Sequence, residues 1–261
     1  MPGYNASMLR TSTGYIGLSR TSINIPNCNP SCKNTLYTFA LSNDMNVITA
    51  TPLEESFDRN RYQSWSKGLE DPRLLTPTSF LAVCCDTNPH WKPEMVYCTF
   101  ENATVRTIQP LACQDKPRII QKNWIYLKTD GDAIHLLYSM NPIQVIQMIP
   151  GSGDCTVLCT HPGLSGTIHN GAAVQLTDGR FLVNVRVKQG HSFQHCLWTV
   201  LNADYTLASV SAPFRFDPSS SYEMCMSLHL EEENVMACVG LNDSHSSLFR
   251  IPLTHILATM T

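Results

Sequence analysis

The feature that most constrains this chain is an internal repeat. Met8 to Arg20 and Val174 to Arg186 both read as a strand, a polar turn with glycine, a second strand and a terminal arginine. Each continues through a polar loop into a third strand (Leu36 to Leu41; Cys196 to Leu201). A fourth strand ending in proline closes each unit (Val47 to Pro52; Leu207 to Pro213). Weaker copies lie between and after them. One runs through Arg73 to Leu75, Phe80 to Asp86, Met95 to Phe100 and Val105 to Ile108. Another takes in Trp124 to Leu127, Ile134 to Ser139 and Gln144 to Met148. The last takes in Met226 to Leu230, Val235 to Gly240 and Ser247 to Ile251. Units repeating at roughly fifty residues, with almost no helical periodicity, predict an all-β five-bladed β-propeller of four-stranded antiparallel blades, one domain over 1–261. A β-sandwich would explain the alternation but not the repeat. The last unit offers three strands, so the ring is expected to close by borrowing one from the opposite terminus. Gly14, Gly131 and Gly179 read as hairpin glycines.

Inner strands of a propeller line a central channel, so their entrances gather one set of side chains at one mouth. The first strands begin near Asn5, Asp71, Lys122-Asn123, Asn170-Gly171 and Met226; the second strands end at Arg20, Asp86, Ser139/Asn141, Arg186 and Asn242-Asp243. Polar groups converging there suit a ligand rich in hydroxyls or phosphate oxygens, which needs fixed donors and acceptors. Charge is thin elsewhere (15% of residues), so the stretch Gly68 to Leu75, with Glu70, Asp71 and Arg73 against Leu74-Leu75, stands out. Pro72 fixes its own φ and pushes Asp71 toward an extended conformation. A local pair between the acids and Arg73 would make the stretch a surface turn; a position at the mouth would make it a site.

Other classes receive no support. A formal charge of −3 gives no electrostatic case for nucleic acid or an anionic membrane. No apolar run approaches the ~18 residues of a membrane span, and Met1 to Asn5 lack the basic and apolar regions of a signal peptide. Eleven cysteines include Cys28/Cys32, Cys155/Cys159 and adjacent Cys84-Cys85, none in a zinc pattern. They read as free thiols in a reducing compartment, and the expected location is cytoplasmic. No metal site is expected. His135 reads as a packed core residue, His229 and His245 as surface or hydrogen-bonded groups, and Cys84-Cys85 as core. Trp65 would stack on a sugar ring or cap blade packing.

Gly68-Leu69-Glu70-Asp71-Pro72-Arg73 resembles the G-x-E-D-P-R motif of the glycoside hydrolase family 130 propellers, largely β-mannoside phosphorylases, and of the related five-bladed β-1,2-mannosyltransferases. Tyr4 to Arg20 is similar to their first blade, Lys122-Asn123-Trp124 to the K-N motif of blade three, and Gly171 to Arg186 to blade four. Gly240 to Asp243 resembles the late Y-G-x-x-D segment. The resemblance implies an enzyme that makes or cleaves β-mannosidic bonds by inverting glycosyl transfer or phosphorolysis, with Asp71 as the catalytic aspartate. Asn5, Arg20, Glu70, Arg73, Lys122, Asn123, Arg186 and Asp243 would contact the substrate, an oligosaccharide or sugar phosphate. No cofactor is implied beyond phosphate, a sugar phosphate or a nucleotide sugar as co-substrate. One acid with a raised pKa suffices when phosphate is the nucleophile; water would need a second carboxylate, for which Asp86 and Asp243 are candidates. Leu137 to Pro142 lacks the basic residue that the phosphorylases place there, leaving Lys122 and Arg186 as anion ligands with Lys188, His191 and His195 nearby. That departure leaves open a hydrolase, a transferase, or a propeller that binds glycan or protein without turnover. Oligomeric state is open.

Overall fold

The computed structural model describes residues 3–24, 32–59, 61–62, 64–113, 121–189 and 192–261; Cys28 and His191 lie outside them. Five sheets follow one another along the chain. Blade one comprises β1 (Tyr4–Thr11), β2 (Gly14–Asn24), β3 (Cys32–Leu41) and β4 (Val47–Pro52), followed by the short β5 (Glu54–Glu55) and β6 (Ser66–Lys67). Blade two comprises β7 (Leu69–Thr76), β8 (Ser79–Cys84), β9 (Glu94–Glu101) and β10 (Thr104–Pro110), with the short β11 (Ala112–Cys113) after it. Blade three has β12 (Ile125–Asp130), β13 (Ala133–Met140), β14 (Ile143–Met148) and β15 (Asp154–His161). Blade four has β16 (Thr167–Gln175), β17 (Phe181–Gln189), β18 (Ser192–Leu201) and β19 (Leu207–Val210). Blade five has β20 (Glu223–Glu231), β21 (Asn234–Leu241) and β22 (His245–Pro252), and a single helical turn, α1 (Leu253–Leu257), follows.

Alternation within each strand builds the ring. Successive side chains point to opposite faces, so a middle strand sandwiched between two blades is apolar at both parities; β8 buries all six of its residues. Phe80 and Ala82 join Leu18 and Leu36 of blade one, while Leu81 and Val83 join Leu136, Ile146 and Met148 of blade three. Leu137 and Val145 then meet Phe181, Val183 and Val185 of blade four, and Leu182 and Trp198 meet Val235, Ala237 and Val239 of blade five. The circle closes where Ala6, Met8 and Phe39 of blade one pack on Cys238 and Leu248 of blade five.

The expectation of a borrowed closing strand is corrected. Among the described residues no strand of blade one pairs with blade five, whose sheet keeps three strands. Side chains replace the ladder: Met8 N–H donates to Ser227 Oγ (2.9 Å) and Ala6 N–H to Ser246 Oγ (3.0 Å). The same device joins blades one and two, where Leu74 N–H donates to Ser7 Oγ (2.9 Å). Short parallel latches, β5 on β10 and β11 on β15, tie each crossover to the next blade's outer strand. All ten described cysteines are free, and most are buried. Among the described residues no helix is long and apolar enough to cross a membrane.

Candidate active site

Three inner strands carry an equivalent irregularity near their entrances. Register jumps from Tyr4↔Arg20 to Ser7↔Leu18, from Glu70↔Val83 to Arg73↔Leu81, and from Asn170↔Val185 to Ala173↔Val183. Each is a bulge with one extra residue, which re-aims a side chain. In the first two the bulged residue is left-handed, Asn5 at φ 50° and Asp71 at φ 49°. Asp71 is therefore not extended as the proline argument expected. Pro72 disfavours the right-handed helical region for the residue before it, and the bulge selects the left-handed one. Pro72 has no N–H to leave unpaired, so it fits a bulge.

The two bulges bring their side chains together. Asn5 Nδ2 donates to Asp71 Oδ1 (2.9 Å) and to Asp243 Oδ1 (3.2 Å), bridging blades one, two and five. Arg20 Nη1 lies 3.2 Å from Glu70 Oε2 and 3.3 Å from Asp71 Oδ1, and its guanidinium stacks 4.8 Å from the Tyr4 ring centroid. Glu70 is itself fixed on its other oxygen by Asn34 Nδ2 (3.1 Å) and by the Ser66 hydroxyl. Asp71 is recessed, with 15% of its side chain exposed. Burial alone would lift its carboxyl, but Arg20, the Asn5 amide, Arg73 and Lys122 outweigh burial and hold it below the ordinary carboxylate range. The expectation of a raised pKa is thus reversed: too many cations and donors surround the carboxylate for depth to dominate.

Arg73, which the resemblance assigns to the substrate, is buried. Its Nη1 donates to the carbonyls of Gly171 and of Met226 (3.4 Å), so it crosses the channel to blades four and five instead of pairing with Glu70. Burial lowers its pKa to about 10. Beyond it lies a cavity of about 400 Å³ lined by the later halves of the inner strands; Arg73 separates that space from the mouth. Asp86, a candidate second carboxylate, is buried as well. Its oxygens take Arg59 Nη1 (2.9 Å) and the backbone N–H of Gly68 (3.2 Å), which fixes the start of the motif where Gly68 sits at φ 90°. Asp243 is exposed and engaged by Asn5.

Lys122 is exposed at the entrance of blade three, near enough to lower the carboxyl of Asp71, and half-buried Asn123 beside it sits at φ 60°. Arg186 is 2% exposed; it donates to Glu223 O (3.2 Å) and stacks 5.0 Å from the Tyr222 ring centroid. Two residues here were not singled out in the sequence. His169, cross-strand from Arg186, has its pKa lowered first by burial and then by Arg186, Lys188 and Lys122. Tyr222 has its phenol pKa raised by burial and by Asp243 and Asp71, against the lowering effect of Arg186. β16 begins at Thr167, earlier than the apolar run suggests, because Thr167, His169 and Asn170 are polar; Tyr222 lies just before β20, which begins at Glu223.

His135 is a core residue, its Nδ1 2.6 Å from the Tyr205 hydroxyl. His245 is exposed beside Ser244 Oγ (2.9 Å). His229 is not at the surface: it is buried against Tyr15, and burial lowers its pKa to about 4. Trp65 is exposed, and His195 lines a small pocket with Arg186 and Tyr222. No group of three or more His, Cys, Asp or Glu among the described residues is placed to hold a metal.

No family model matches the chain, and no curated protein matches it in sequence. Solved structures match it in fold, and they include mannoside phosphorylases of glycoside hydrolase family 130. A β-1,2-mannobiose phosphorylase from Listeria innocua, in complex with β-1,2-mannobiose, aligns with a TM-score of 0.70 and 10% identity over 98% of this chain and 91% of that one. A glycosyl hydrolase from Bacteroides ovatus aligns with a TM-score of 0.71 and 12% identity over 94% and 82%. A third, from the family 130 members that target β-1,2-mannosidic linkages in Candida mannan, gives a TM-score of 0.67 and 13% identity over 95% and 83%. These likenesses show the shared five-bladed fold.

Proposed function

We propose that the protein is a carbohydrate-active enzyme that makes or cleaves β-mannosidic bonds by inverting transfer, with Asp71 as the proton-transfer residue and inorganic phosphate as the nucleophile. One observation carries this reading. A single recessed carboxylate, aimed by a bulge into the mouth, is gripped by Asn5 and Arg20 and accompanied by Lys122, with Arg186, His169 and Tyr222 at the neighbouring entrances. Phosphate needs no general base, and the carboxylates otherwise at hand are committed: Glu70 to Arg20, Asp86 to Arg59 and Gly68, Asp243 to Asn5. That favours phosphorolysis over hydrolysis. The named neighbours lend no support to a nucleotide-sugar transferase.

Asp71 must be protonated to donate to the departing sugar oxygen, yet its surroundings hold it ionised. Phosphate bound beside Lys122 would offset one of the charges that keep the pKa low and add negative charge of its own, so it raises the pKa of Asp71 as it brings the nucleophile. In the synthetic direction the ionised form is already the base. The same depressed pKa favours a second reading, a glycan-binding propeller without turnover. Incubation with β-1,2-mannobiose and phosphate, following mannose-1-phosphate, separates them. Product that disappears in Asp71→Asn supports the enzyme; retained sugar binding with no product supports the binder.

A further inference from the structure

Among the described residues blade five has one strand fewer than its four companions, and both sides of the position next to β22 show it. Where β3, β9 and β14, third in their blades, each bury several residues, β22 buries none. Its outer edge has no strand partner among the described residues. Across the gap, β4 of blade one is exposed at all six positions, whereas β10 and β15 each bury one. The register explains why. Val47 pairs with Leu41 and Ala50 with Phe39, so they share the face on which Leu41 and Phe39 pack against blade five. Val47 is nevertheless 49% exposed, because among the described residues no fourth strand of blade five covers it. On the opposite face of β22, Phe249 and Ile251 open onto a cavity of about 350 Å³ with Trp198, Phe214, Phe216 and Ile256.

We propose that this position takes one extended strand donated by a separate polypeptide, pairing along the edge of β22. Main-chain bonds to an unpaired edge supply affinity, and pockets for alternate side chains supply specificity. The fourth strands of the other blades, β4, β10, β15 and β19, run from four to eight residues, and the donated strand has that length. Its side chains alternate between the aromatic cavity and Val47, so it is apolar on both faces. Exposed Arg215 and His255 line the cavity and Arg250 is exposed on β22, while the acidic groups Asp217, near His245, and Glu232-Glu233, near Pro252, lie toward the two ends. A strand carrying a carboxylate at its middle complements that distribution.

Panning phage-displayed random octapeptides on the intact protein, then measuring synthetic hits by fluorescence anisotropy, tests this. The expected hits are apolar on both faces apart from a central acid, and they slow amide exchange at residues 245–252. Val47→Lys and Arg250→Glu, both at exposed positions that leave folding intact, each weaken binding at least tenfold. The proposal is overturned if no such sequence is enriched, or if hits bind both variants unchanged. It is equally overturned if the purified protein self-associates through this edge and Val47→Lys abolishes it, since a second copy would then be the occupant.

Discussion

Asp71 owes its charge state to its neighbours more than to its depth. Arg20→Met removes the first of the charges holding the carboxyl down and strands Glu70 and Asp71, so the pKa of Asp71 rises and stability falls by about 3 kcal/mol, as for other broken buried pairs. NMR titration of the carboxyl and urea denaturation read the two effects separately. Gly240→Ala is a subtler test: a Cβ there would sit 2.0 Å from Asn5 Oδ1. Asn5 must move, loosening both Asp71 and Asp243, so activity should drop at least tenfold in a folded protein; unchanged kinetics would show that the Asn5 bridge is dispensable. His229 sets a pH dependence. Its pKa near 4 in the fold, against 6.5 unfolded, means that its share of stability is complete above pH 6.5 and is lost as pH falls toward 4, at ~1.4 kcal/mol per unit. Between pH 7 and pH 5 the wild type should therefore lose about 2 kcal/mol more than His229→Leu. At this scale the motif Glu70-Asp71-Pro72-Arg73 was legible in the sequence, but its contacts were not. Arg73 looked like a local partner because it is close in the chain, whereas its carbonyl acceptors lie on β16 and β20.

At the level of the strand, the bulge sets the candidate site apart from an ordinary blade. It gives Asn5 and Asp71 the left-handed backbone that aims them into the mouth, and it leaves inner-strand amides to serines of the adjacent blade. Ser7→Ala strands the buried amide of Leu74 and should cost 1–3 kcal/mol in urea denaturation, roughly the desolvation penalty of an unmet donor. Strand interiors were read well from alternation and apolar runs, since burial on both faces writes itself into composition. The entrance of blade four was read late because polar residues (Thr167, His169, Asn170) interrupt the apolar run, and His169 was missed for that reason; Tyr222 was missed because it lies just before β20, outside any strand pattern. The fourth strand of blade three was missed too. In β15 only Cys155 is buried, so its pattern is weak.

Across the whole molecule, five inter-blade clusters close a ring that, among the described residues, has no shared strand at its seam. The repeat made that architecture legible, while the closing mechanism was not, since serine-to-amide bonds between distant segments leave no local signature. The ring's consequence is convergence: residues separated by 66 and 238 positions in the chain meet at Asn5. Assaying β-1,2-mannobiose cleavage with and without phosphate, in wild type and in Asp71→Asn, tests this reading most directly. The account predicts mannose-1-phosphate formed only with phosphate, and a loss of about 10²–10⁴-fold in the variant, as expected for a lost general acid. Cleavage that proceeds equally without phosphate, or that survives Asp71→Asn, would contradict it.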